Sequence, residues 1–331
     1  MLYVTTRNSR DLYPSLRPLV QDDGPAGGLY VPHDLPVLTP GGNFGERVAD
    51  LLNSLYLPKL TGAKVAFAIG RSPVRLRAMH HRIALAECWH NPRWNMDWAA
   101  LELLRLIYPE RELTACSEWG RLSVQMAMLS GVLQGIVDAG IADEEHPVDI
   151  AVEAGDFSWP MAAFYLRRMG APVGTIVCAC LDNALLWDLF QRGEIRTRNP
   201  ETASLCRGLE RLICTCLGQE EARRYSEVFA RRGVYVPEPE QLEQLKDHMY
   251  ASVLSTRRVR QLMKSVYHSS GDILTLEAAA AYAGLMDYRA ATADARTSLV
   301  MMEKSPVCQA DTVAAALGLS AEALKARLEQ E

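Results

Sequence analysis

Two apolar runs, 148–152 and 171–180, flank a helix-compatible stretch at 161–170. Between the first run and that stretch stands Glu153-Ala154-Gly155-Asp156-Phe157-Ser158. Strand, glycine turn, helix, strand is a βαβ unit. Such a unit commits the chain to adjacent parallel strands joined by a right-handed crossover. The turn after the first strand feeds a helix N-terminus, whose free N–H groups commonly hold an anion. Here the turn carries two acidic side chains, Glu153 and Asp156, where a phosphate would sit. It reads as an anion cradle that repels its ligand.

The rest of the chain can be divided around this unit. Residues 1–40 are rich in Pro and Gly, with a strand-like Leu29-Tyr30-Val31. Val48, Leu51, Leu52 and Leu55 predict a helix over 46–57, and 64–69 alternates weakly, as a strand does. Residues 82–89 alternate well and predict a strand, with Ile83, Leu85 and Trp89 buried. Good helix formers fill 97–108, which Pro109 ends. Leu122, Met126, Leu129, Leu133 and Ile136 predict one long helix over 117–137. Helices are expected at 183–192, 203–217, 220–232, 239–254, 257–268 and 275–289, then a strand at 298–302 and two closing helices, the last capped by Ser320. The organisation is an N-terminal segment (1–40), a small α/β segment (41–116) and an α/β domain with a helical C-terminal part (117–331).

With 331 residues and 49% apolar content, the chain can bury a sizeable core. A net charge of −5 argues against a nucleic-acid partner. No apolar run approaches the ~18 residues of a membrane span, so no membrane partner is expected. The N-terminus lacks a basic n-region followed by an apolar h-region, which predicts a cytoplasmic protein with reduced thiols.

Four local patterns admit a functional and a plain reading. The pairs Cys178-x-Cys180 and Cys214-x-Cys216 lack zinc-ligand spacing and read as core cysteines. Arg71, Arg75, Arg77, His80, His81 and Arg82 form a basic cluster, either an anion site or a solvated face with an acidic partner on a neighbouring strand. Gly41-Gly42-Asn43-Phe44-Gly45-Glu46 reads as a glycine-rich helix start, with an anion site as the sharper alternative. His90-Asn91-Pro92-Arg93-Trp94, beside Trp89 and Trp98, is either a structural corner or a tryptophan-walled pocket.

The turn and both ends of the chain resemble threonine synthase, a pyridoxal-phosphate enzyme sharing the fold of tryptophan synthase β. The family turn reads T-G-N-F-G-D, followed by a helix ending K-K-M-G. Gly155, Phe157 and Met169-Gly170 match it, whereas Glu153-Ala154 replaces Thr, Asp156 replaces Asn and Ser158 replaces the second Gly. Tyr3-Val4-Thr5-Thr6-Arg7-Asn8 is similar to the opening Y-x-S-T-R-G, and 23–32 to P-D-G-G-L-Y-V-P. Ser117-Glu118-Trp119-Gly120-Arg121 loosely matches N-S-I-N-W-A-R, and Leu209-Glu210-Arg211-Leu212 resembles F-E-R-L-L. The likeness is good over 1–40 and 117–215, weaker to 320 and poor over 41–116.

The resemblance implies a threonine synthase-like α/β fold in truncated form, with a parallel βαβ core and many helices. It implies that Gly155, Asp156, Phe157 and Ser158 form a degenerate phosphate turn. Glu303, in Met302-Glu303-Lys304-Ser305-Pro306, stands where S-T-A-S-P places a hydroxyl near the pyridine nitrogen. The cofactor lysine of H-G-P-T-L-A-F-K-D-F has no clear counterpart: against 62–70 it falls on Ala68, four residues past Lys64. Pyridoxal chemistry needs an amine and a held ring. The expectation is therefore a degenerate, non-catalytic homologue without cofactor that binds a small molecule or a protein partner. Two alternatives stay open. One is an active pyridoxal-phosphate lyase with a displaced lysine, converting O-phosphohomoserine to threonine. The other is an unrelated activity built on 41–116.

Overall fold

The computed structural model describes residues 1–38, 41–71, 74–80, 82–88, 95–110, 112–142 and 146–329. Strands β1 (Leu2–Thr5), β2 (Asn8–Pro14) and β3 (Tyr30–Pro32) form a small antiparallel sheet, with α1 (Leu16–Val20) inserted before β3. Helices α2 (Phe44–Tyr56) and α3 (Gly62–Ile69) precede the antiparallel pair β4 (Arg75–Met79) and β5 (Ile83–Glu87), followed by α4 (Met96–Ile107) and α5 (Glu118–Asp138). The expected unit is β6 (Val148–Glu153), α6 (Ser158–Arg168) and β7 (Val173–Leu181). Beyond it come α7 (Leu185–Arg192), β8 (Ile195–Arg196), α8 (Ala203–Leu217), α9 (Gln219–Arg232), β9 (Val234–Tyr235), α10 (Pro239–Lys246) and β10 (Met249–Leu254). The chain continues with α11 (Thr256–Ser270), α12 (Leu276–Thr292), β11 (Ser298–Met302), α13 (Ala310–Leu317) and α14 (Ala321–Leu328).

The main sheet runs β10-β7-β6-β11-β5-β4, parallel except for β4 at one edge. A parallel sheet must be covered on both faces, and its period of two divides the side chains between them. Ala84 and Ala86 of β5, with Ile176, Cys178 and Cys180 of β7, enter the core beneath α2, α4, α5 and α6. Ile83 and Leu85, with Val177 and Ala179, enter the core beneath α11 to α14. The Cys178 and Cys180 thiols are thus core residues on one face, as their spacing requires. Among the described residues no group of His, Cys, Asp and Glu could hold a metal, and no helix is long and apolar enough to cross a membrane.

Several expectations hold with a physical reason attached. Asn43 and Glu46 exchange side chain and backbone at the start of α2, so the glycine-rich phrase at 41–46 is a capping box. Arg77 forms ion pairs with Glu87 of the neighbouring strand at 3.0 Å and with Asp272 at 2.9 Å, and Arg75 pairs with the same buried Glu87. The basic stretch therefore has its acidic partner across the β4–β5 pair. Ile83 and Leu85 are buried; Trp89 and the 90–94 phrase lie outside the described residues, as does His81.

Two expectations are corrected. Residues 64–69 belong to helix α3, not a strand: Thr61 caps the Lys64 N–H at 3.3 Å, and only Val65 and Ile69, one turn apart, are buried. Residues 239–254 are not one helix. The helix α10 stops at Lys246, His248 takes a left-handed φ of +62°, and 249–254 pair in parallel with β7 as β10. Apolar residues recur in both halves, so the helical period seemed to continue. The exposed edge of β7 supplied hydrogen bonds that local spacing does not reveal.

Candidate functional site

Strands β6 and β11 end side by side, and a cleft of about 290 Å³ opens beyond their C-terminal ends. This is where open α/β sheets place ligands. Glu153, Gly155, Asp156, Ser158 and Trp159 line it from the β6 side, Glu303 and Lys304 from β11, Thr275 and Glu277 from the start of α12, and Arg121 from α5. The four residues of the expected phosphate turn converge there with Glu303. Gly155, Asp156 and Ser158 face the cleft, while Phe157 is fully buried behind them.

The turn has a fixed shape. Gly155 has φ +23° and Phe157 φ +65°, a left-handed value that only strong packing sustains in a large residue. That packing comes from α8. A Cβ on Gly208 would stand 2.6 Å from the Phe157 Cβ, so only glycine lets the helix approach so closely. The Phe157 N–H donates to the Ala154 carbonyl at 2.6 Å, closing the turn.

Two more of its N–H groups are engaged by acidic side chains of the turn itself. The Ser158 N–H donates to Asp156 Oδ1 at 2.9 Å, and the Ser158 hydroxyl to the same oxygen at 2.6 Å. Gln125 Nε2 supports that hydroxyl at 3.1 Å. The Gly155 N–H serves the Glu153 carboxylate, which folds so close that a Cβ on Gly155 would lie 2.5 Å from Glu153 Oε2. Burial pushes the Glu153 carboxyl up to about 7; the Gly155 N–H opposes the rise, Glu277 and Asp156 add to it, and Lys304 works against it.

Across the cleft, Glu303 Oε1 accepts from Arg121 Nη2 at 3.0 Å and Oε2 accepts from the Trp159 indole N–H. Arg121 also approaches Asp97 (3.4 Å) and Asp156 (3.6 Å). Burial opposes the guanidinium charge, but Glu303, Asp156 and Asp97 together hold its pKa above the ordinary value. Lys304 Nζ lies 3.6 Å from Glu277, whose two oxygens accept from the Gln309 amide at 2.6 and 2.7 Å. The lining thus sets Glu153, Asp156, Glu277 and Glu303 against Arg121 and Lys304, an acidic balance.

Neither Lys64 nor Ala68 lines the cleft; both lie on α3, where Lys64 is exposed. Two described residues of the 41–116 region do reach this side of the sheet, Cys88 and Asp97. The Cys88 N–H bonds the Met302 carbonyl at 3.0 Å, and Asp97 in the first turn of α4 meets Arg121. Sequence reasoning missed Trp159 and Glu277 as lining residues, although Trp159 stands next to the turn; Lys304, beside the expected Glu303, does line the cleft.

These features can be set beside known proteins. No protein-family model matches the chain. It is 26% identical over 168 residues to threonine synthase-like 1 of Homo sapiens, a stretch covering 47% of this chain and 22% of that protein. The chain therefore matches about a fifth of the length of that curated relative. Among solved structures, the pyridoxal-phosphate-bound threonine synthase of Brucella melitensis superposes with a TM-score of 0.80 at 15% identity, over 97% of this chain and 92% of that one. The threonine synthase of yeast gives 0.74 at 14% identity, over 96% and 90%. The fold is that of threonine synthase, and the resemblance read from the sequence is borne out.

Proposed function

We propose that this chain is a non-catalytic threonine synthase-like protein whose cleft binds a small molecule without a covalently held cofactor. One observation carries the reading. The chain has six lysines, at 59, 64, 246, 264, 304 and 325, and none lies in the sequence between β5 and α4. There the family phrase H-G-P-T-L-A-F-K-D-F is better compared with His90-Asn91-Pro92-Arg93-Trp94-Asn95-Met96-Asp97-Trp98. His, Pro and Asp keep step if one residue, the lysine, is missing. This register replaces the one that set Ala68 against it. Without the amine there is no imine, and no proton carrier at the atom where this chemistry needs one.

The other contacts agree. Pyridoxal phosphate does not fit the residues present: its phosphate would meet Glu153 and Asp156, and its ring nitrogen a Glu303 committed to Arg121 and Trp159. One observation favours the second reading, an active lyase with a displaced lysine: Lys304 does line the cleft. The test is the purified protein incubated with pyridoxal phosphate, reduced with borohydride and mapped by peptide mass. The expected result is no stoichiometric adduct. An adduct on Lys304 would establish the displaced lysine and overturn the non-catalytic reading.

A further inference from the structure

We propose that the Asp156 and Glu153 carboxylates are permanent occupants of the anion cradle at the end of β6, closing the cleft to phosphate-bearing small molecules. The inference rests on reading this cleft as a former cofactor site. An anion bound at such a turn is held by the N–H groups of the turn and the first helical residues. In this chain, Asp156 Oδ1 takes the Ser158 N–H and hydroxyl, and Glu153 takes the Gly155 N–H. The third donor, Phe157 N–H, is bonded to Ala154. An incoming phosphate would have to displace both carboxylates, and then stand beside them.

Two features hold the turn in the shape that brings these groups together. Phe157 still holds its left-handed conformation, clamped by Gly208. Gly155 still lacks the Cβ that would collide with the Glu153 carboxylate. The Asp156 carboxylate also has a cation: its other oxygen faces Arg121 Nη1 at 3.6 Å. Two of the turn's N–H groups, those of Gly155 and Ser158, thus meet an acidic side chain of the turn itself, and that of Phe157 meets the Ala154 carbonyl.

The experiment compares the parent with Glu153→Gln/Asp156→Asn, which keeps both shapes and removes both charges. Binding of inorganic phosphate and of pyridoxine phosphate is measured by isothermal titration at pH 8, above the Glu153 titration. The parent should show no saturable binding, and the double variant should gain affinity about tenfold or more. Parent binding as tight as the variant's overturns the proposal. So does a variant with the parent's circular dichroism and no gain. If the double variant fails to fold, Asp156→Asn alone is judged by the same two criteria. The two readings fail separately. Pyridoxine phosphate has no aldehyde and reports the cradle alone, whereas a borohydride-trapped adduct reports the lysine alone.

Discussion

Replacing Glu153 by Gln should stabilise the protein at alkaline pH and do nothing in acid. The Glu153 carboxyl is pushed from an ordinary 4.5 up to about 7, by burial first and then by Glu277 and Asp156; the Gly155 N–H and Lys304 oppose the rise. A carboxyl with a raised folded-state pKa binds more protons folded than unfolded between those two values. Stability therefore falls as pH rises through that window. Above about pH 7 the native state bears the whole cost of an ionised, half-buried carboxylate, about 3 kcal/mol by the size of the displacement. Glutamine has no charge to bury and can still accept the Gly155 N–H. Urea unfolding of parent and variant should show the variant ahead by up to that amount at pH 8. The gap should shrink as pH falls from 7 and vanish below 4.5. Equal stability at every pH, or a gap that widens in acid, would refute the assignment of Glu153 as the strained group.

Two further variants test the supports of the cleft. Gly208→Ala should cost about 1–3 kcal/mol in urea unfolding, because its methyl would stand 2.6 Å from the Phe157 Cβ and force α8 off the turn. No loss would mean that α8 is not what holds Phe157 left-handed. Arg75→Ala/Arg77→Ala should cost about 3–5 kcal/mol, since it strips both cations from Glu87, whose side chain is 1% exposed. A double variant as stable as the parent would show that the two arginines are not what supports the buried Glu87.

The same physics explains why the cleft is legible as a site and yet reads as altered. The position is set by topology: the β6 and β11 carboxyl ends leave a gap that helices α5 and α12 wall off. The content is set by side chains, and those are four carboxylic acids to two cations. A phosphate dianion near two carboxylates faces repulsion of about 1 kcal/mol per close pair even at the dielectric of water. Away from the cleft, acidic and basic groups are paired. Glu210 is 5% exposed in its side chain and receives Arg7 Nε and Nη2, each at 2.9 Å. Trp119 packs edge-on against Tyr3 and Tyr165, with centroids 5.4 and 5.8 Å away. These contacts join the first strands to α5, α6 and α8.

The βαβ unit, the long α5 and the acidic turn were fixed by the sequence alone, because each is a local pattern: a period of two, a period near 3.6, and a glycine between them. The likeness of the turn and of the chain ends also marked Gly155, Asp156, Phe157, Ser158 and Glu303 as one site, although the last is about 150 residues from the others. Only tertiary structure decided which partners these residues have. Asp156 meets Arg121, and Glu303 meets both Arg121 and Trp159, through the packing of α5 and α6 on the strand ends. It also decided that 249–254 is a strand, since β7 offered an unpaired edge, and that α3 stands apart from the cleft while Asp97 of α4 meets its Arg121. Periodicity reports which face of an element is apolar. It does not report which other element that face will meet, because that depends on the sheet order, β10-β7-β6-β11-β5-β4, which brings together segments far apart in the chain.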